Sequence, residues 1–332
     1  TDAPGMDEDP LTTLDNLFED AIELTADMAL NPAMTDESFE ASRVMAQHAL
    51  ASLADDPQQR AVLAARARHN PEPYNRSTFG TEASLASLTA QRTREWWGTY
   101  ANPNGAIISI AGAINPSQGI DLITKHFGQW SGQADAPVIH TTAPRGYAHE
   151  EDDTNQVQII VVNDAPAAGT DYEMYELLAV SVLSGGMSGR LFTEVREKRG
   201  LCYSVSASYR AEKEFGLVTS YVGTTPERAQ ESLDVLHEQL LAMQAGDVTH
   251  QELERARIGL KSRVIFSGES TGARASSLIA DIVKRGSPRT LAQIAEQIDA
   301  VDLESFNDYL RKRTLGEVTI QTLGPTALTP PC

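Results

Sequence analysis

The chain has 332 residues, 41% hydrophobic and 22% charged, and its 27 Lys and Arg against 46 Asp and Glu give a formal net charge of −19. That length holds two domains with cores of their own, and no run reaches the roughly 18 apolar residues that a membrane-spanning helix needs. The acid surplus repels phosphate backbones and anionic lipid, which argues against nucleic-acid binding, and two cysteines, Cys202 and Cys332, make neither a disulfide framework nor a CxxC metal knuckle.

The opening TDAPGMDEDPLTT has no basic n-region, no apolar h-region and no initiator Met, so it need not be the true start. Residues 11–30 space Leu14, Leu17, Phe18, Ile22, Leu24 and Met28 as an amphipathic helix that Asn31-Pro32 stops. A second helix starts at the capping hydroxyl of Thr35 and runs to Asp56-Pro57, and a third follows from Pro57 as QQRAVLAARARHN. After the polar loop PEPYNRSTFG, a helix over SLASLTAQRTREWWGTYA leads through the turn NPNG to AIISIAGAI, which reads as a buried strand. The helix SQGIDLITKHFGQW closes this half. Residues 131–156, with Pro137, Pro144 and the cluster Glu150-Glu151-Asp152-Asp153, read as linker and solvated loop.

The second half opens on the strand QVQIIVVNDAP and a helix over 171–183, followed by SGGMSGRLFTEVREKRGLCYSVSASY. Then come the strand EFGLVTSYVG, helices over 226–245 and from Thr249 onward, the helix DLESFNDYLRKR and the strand EVTIQTLG. Gly185-Gly186-Met187-Ser188 fits neither GxGxxG nor GxxxxGK[ST], so it reads as a tight turn with close backbone approach rather than a phosphate cradle.

Two segments repeat at nearly one offset. TDESFEASRVMAQHAL from Thr35 matches THQELERARIGLKSRV from Thr249, 214 positions on, and the segment with Leu88 and Trp96 matches that with Val301 and Tyr309, 213 positions on. The chain therefore reads as two copies of one α+β unit, with domains expected at 1–135 and 156–332 and a linker at 136–155. By the same offset, about 60 residues of the first copy fall before Thr1, and the counterpart of Gly186 falls at position −28.

LSGGMSGRLFTEVREKRGLCYSV resembles the C-terminal-domain signature of the pitrilysin/insulinase family of zinc peptidases, and NPAMTDESFE, RSTFGTEASLASLT and YANPNGAIISIAGAINP resemble landmarks of that family's N-terminal domain. The resemblance implies an α+β fold of two pseudo-repeated domains, each a mostly antiparallel mixed sheet flanked by helices, facing each other across a cavity. Active members carry HxxEH on a helix, two His holding zinc and the Glu serving as general base, with a further Glu as third ligand. No HxxEH occurs in this chain: His237-Glu238 lacks the second His, and HQELE at His250 reads as a helix start. The third-ligand position falls on His48, with Gln47 beside it, and counting back from there by the family spacing also lands near −28.

Arg196 and Tyr203 match a pair that the family's C-terminal domain extends toward substrate near the metal, where Tyr hydrogen-bonds an oxyanion and Arg holds a carbonyl. The same residues also fit a purely structural role, with VREKRG as a helix end capped by Gly200 and Tyr203 packed in the next strand. In inactive partner subunits a glycine-rich loop near this place helps handle peptides, which makes Gly185 and Gly186 secondary substrate-binding candidates. The leading expectation is a family member without catalytic residues or zinc of its own. It would bind a peptide or unfolded polypeptide, as a homodimer or as a heterodimer with an active homologue, in a bacterial cytoplasm or periplasm. Two alternatives are an active zinc metalloendopeptidase whose HxxEH lies upstream of Thr1, and a structural core subunit of a larger complex.

Overall fold

The computed structural model describes residues 10–133 and 143–331. The opening TDAPGMDED, the middle of the span read as linker and Cys332 lie outside the described residues. The chain divides into two units, one drawn from residues 1–49 and 81–137, the other from residues 50–80 and 138–332.

The first unit is helical. Helix α1 (Pro10–Leu30) turns Ile22 and Ala26 inward and packs on α6 (Pro116–Phe127), with Lys125 paired to Glu19 at 2.6 Å. Helix α2 (Asp36–Ser52) begins where expected, the Thr35 hydroxyl accepting from the Ser38 N–H at 3.1 Å. The single helix expected over 84–101 is two, α4 (Glu82–Ser87) and α5 (Ala90–Tyr100), because Leu88 and Thr89 turn extended and Thr89 caps the second. The run 106–114 is not a strand: among the described residues nothing pairs with it, and β propensity without a ladder partner does not make a sheet.

The second unit holds a five-stranded mixed sheet in the order β1-β5-β2-β4-β3, from β1 (Gly146–Glu151), β2 (Val157–Ala165), β3 (Cys202–Ala211), β4 (Gly216–Thr224) and β5 (Thr319–Gly324). Only the β1–β5 pair is parallel. The α+β class is as expected, with one sheet among the described residues. Helices α7 (Glu173–Ser184), α8 (Ala229–Gln244), α9 (His250–Ser267), α11 (Leu291–Asp299) and α12 (Leu303–Lys312) bury one face, where Ile159 and Val222 meet Leu178, Leu233, Leu236 and Phe306. Helix α10 (Thr271–Arg285) completes the set. The helix expected from Thr249 onward is thus three, divided at Gly268 and at Gly286, which is left-handed at φ 80°.

Helix α3 (Pro57–His69) covers the other face, setting Ala61 and Ala65 on Ile160, Val162, Leu217, Tyr221 and Leu323. Burial from both sides explains why β2 is a continuous apolar run rather than an alternating one. Polar ties hold both ends of α3: Arg60 forms ion pairs with Glu150 and Asp152, and His69 reaches the Thr319 hydroxyl at 3.0 Å and Asp164 at 3.3 Å. The span read as linker is therefore partly structure. Its residues 146–151 form β1, and two members of the acidic cluster are ion-paired rather than merely solvated.

Candidate functional site

The glycine turn follows α7 directly. At Gly185 a Cβ would lie 2.2 Å from the Ser181 carbonyl oxygen, and Gly186 stands at φ 109°, so both positions require glycine. Gly185→Ala is expected to cost about 2 kcal/mol, read as a lower urea midpoint, because the obstacle is backbone and cannot swing away. Arg190 then pins the turn to the start of α9. It donates to Glu252 at 2.7 and 3.1 Å and to Asp247 at 2.8 Å.

Phe192–Glu197 is a π-helical turn, a widened geometry that recurs at functional positions. It buries Leu191 and Val195 and leaves Arg196 exposed, its guanidinium 5.1 Å from the centre of the Phe192 ring. Gly200 ends the segment in the left-handed region at φ 59°, where its carbonyl accepts from Arg228. The helix-end reading of VREKRG thus holds in modified form.

Tyr203 is displayed rather than packed. Cys202 pairs with Thr224 and Ser204 with Gly223, so Tyr203 is the extra residue of a β-bulge, and it is 68% exposed. Bulges of this kind re-aim a side chain. Tyr203 borders a cleft of about 400 Å³ together with Gly200, Cys202, Thr225, Glu227 and Arg228. Burial pushes the Cys202 thiol above its ordinary pKa, with the charge of Arg196 pulling weakly the other way. Arg196 is exposed on the preceding turn and is not among the residues that line this cleft, where the cation present is Arg228.

His48 lies on an exposed stretch of α2 in the first unit. Among the described residues no group of three or more His, Cys, Asp and Glu side chains is placed to hold a metal ion. Among the described residues, Gln47 and His48 bring no carboxylate to the position where the family resemblance implies a glutamate ligand, so this donor set does not fit that zinc. No described helix is long and apolar enough to cross a membrane. Arg190 escaped the sequence reading, although its partner Glu252 stands in the capping box begun by Thr249, which was the available signal.

The second unit is thus an α+β layer structure with helices on both faces of its sheet, carrying an exposed Arg196 on a π-helical turn and an exposed Tyr203 on its edge strand β3. Residues 87–260, just over half of the chain, match the model of the peptidase M16 inactive domain. The chain belongs to that family, as the pitrilysin/insulinase resemblance implied. It is 26% identical over 324 residues to the "Uncharacterized zinc protease YmxG" of Bacillus subtilis, covering 96% of this chain and 78% of that one. Among solved structures, a peptidase M16 inactive domain from Pseudomonas fluorescens superposes with a TM-score of 0.81 at 18% identity, over 95% of this chain and 77% of that one. A chain of complex III2 from Candida albicans does so with 0.77 at 14% identity, over 92% and 76%.

Proposed function

We propose that this chain is a non-catalytic, peptide-binding member of its family that pairs with an active zinc-peptidase homologue. The observation that carries the reading is the bulge-borne, 68% exposed Tyr203, seven residues after the exposed Arg196, in a sequence whose 332 residues hold no HxxEH. His48 in place of the third-ligand glutamate supports the same reading, since an imidazole brings no negative charge to a zinc site. Gly185 and Gly186 would shape the edge along which a peptide backbone lies.

The reading is tested by fluorescence anisotropy with a labelled unstructured peptide. The Arg196→Ala/Tyr203→Ala double variant is expected to bind about tenfold more weakly or worse, with unchanged far-UV circular dichroism because both side chains are exposed. Equal binding by variant and wild type would overturn it. So would purified protein that holds stoichiometric zinc and cleaves peptides with loss on His48→Ala.

A second reading is an active zinc metalloendopeptidase whose HxxEH lies upstream of Thr1. The name of the Bacillus relative favours it, and the full reading frame together with its zinc content decides. The likeness to a complex III2 chain favours a third, a structural core subunit, for which several stoichiometric partners would co-purify.

A further inference from the structure

A cavity of about 620 Å³ opens where the end of β2, the start of α7 and the end of α12 converge, within the usual size range for small-ligand sites. It lies away from Arg196 and Tyr203. In the β2–β4 register Val157 pairs with Thr224 and Ala165 with Gly216, and Thr224 in turn pairs with Cys202. The cavity, lined by Asp164, Ala165 and Pro166, is therefore eight residues along the strand from the Tyr203 bulge, roughly 27 Å at the usual rise.

Arg313 is the unusual group in its wall. Its side chain is 9% exposed, and Nη1 alone serves Glu176, donating to the two carboxylate oxygens at 2.7 and 2.9 Å. The Nε–Nη2 edge has no hydrogen-bond partner among the described residues, and Nε is fully buried. Nη2, which is not fully buried, is the donor left for a ligand's carboxylate, in a charge-assisted hydrogen bond. The acids nearby are already engaged, Glu176 by Arg313 and the Tyr309 hydroxyl, Asp164 by Arg145, and Asp308 by Arg311. Lys312, 79% exposed, also lines the cavity and lies 4.0 Å from Asp308, adding to that carboxylate's neutralisation.

Three tyrosines also line the cavity. Tyr172, 54% exposed, stacks on Tyr309 with centroids 5.2 Å apart and planes at 20°, and Tyr175 meets Tyr172 edge-on at 5.9 Å. An exposed ring already held by stacking is a low-entropy platform for a second flat group.

We propose that this cavity binds a carboxylate joined to a flat apolar group, chemistry shared by the free C-terminus of a peptide ending in an aromatic residue and by a small arylalkanoic acid. Nη2 of Arg313 takes the carboxylate and Tyr172 takes the ring. The proposal does not depend on Arg196 or Tyr203.

The full chain is titrated calorimetrically with 3-phenylpropionate, with 3-phenylpropanamide, and with a peptide ending in phenylalanine as free acid and as C-terminal amide. Acids are expected to bind at least about tenfold more tightly than the matching amides, since only they carry a charge for the guanidinium. Tyr172→Ala, which leaves the Glu176–Arg313 pair in place, should weaken acid binding about fivefold, and Tyr172→Phe should keep it. Binding of the peptide acid alone assigns the site to a C-terminus, and binding of 3-phenylpropionate alone assigns it to a small acid. Acids and amides binding equally, no binding of either acid, or full affinity in Tyr172→Ala would each overturn the proposal. Arg196→Ala/Tyr203→Ala should leave the acid preference intact, which separates this site from the peptide surface proposed above.

Discussion

Arg313→Met is expected to lower the stability of the second unit by about 3–5 kcal/mol, measured as a shift of the urea unfolding midpoint at neutral pH. Glu176 is 1% exposed and buried beneath α12, where its partners are Nη1 of Arg313 and the hydroxyl of Tyr309. Removing the guanidinium leaves a desolvated carboxylate with one neutral donor, and the Coulomb term that offset its burial is gone. Burial, reinforced by the Glu176 charge, pushes the Tyr309 phenol far above its ordinary pKa, so it stays a donor and cannot take over the missing charge. The double variant Glu176→Gln/Arg313→Met should recover part of the loss, because the cost lies in the uncompensated charge rather than in the missing contact. A double variant as unstable as the sum of its singles would show that packing, not charge pairing, holds this junction.

What was legible in the sequence follows from how local each signal is. The glycine turn at Gly185-Gly186 and the helix end at Gly200 are written in adjacent residues, so both turns could be read locally, while the π-helical widening between them could not. The helix starts at Thr35 and Thr249 were likewise written into three- and four-residue cap patterns. Structure made by distant pairing was not legible. GYAHEE lacks a clean strand pattern and becomes β1 only because β5, far along the chain, offers a parallel edge. The run AIISIAGAI has the composition of a buried strand and forms none, since the ladder partner is missing among the described residues. Helix α3 seats itself through two alanines, too small to write a hydrophobic stripe, and through ion pairs to Glu150 and Asp152 and a His69 contact to Asp164 that no spacing rule announces. The bulge at Tyr203 was also invisible, because it is a property of the β3–β4 register and not of either strand alone.

Glu252→Gln is expected to destabilise the protein at pH 6 and to make no difference near pH 2. Burial acts to raise the Glu252 carboxyl, but the Arg190 guanidinium and the N–H and O–H of Thr249 outweigh it and hold the pKa at about 2. A depressed folded-state pKa contributes stability that is fully present above the unfolded value, near 4.5, and is lost as the pH falls through about 2. With the Glu252 side chain 17% exposed, the contribution is on the order of 2–3 kcal/mol. Asp164, held at about 2 by His69 and Arg145 against its own burial, loses stability over the same acid range, so the wild type should weaken steeply between about pH 5 and 2. The variant should follow a shallower slope there, measured as urea midpoints at pH 6, 4 and 2. Because Arg190 ties the glycine turn to α9 through this carboxylate, hydrogen exchange over residues 184–190 should quicken in Glu252→Gln at pH 6, while exchange in β2 stays slow. Parallel slopes for wild type and variant would mean that Arg190 is held by Asp247 alone and that the turn does not depend on Glu252.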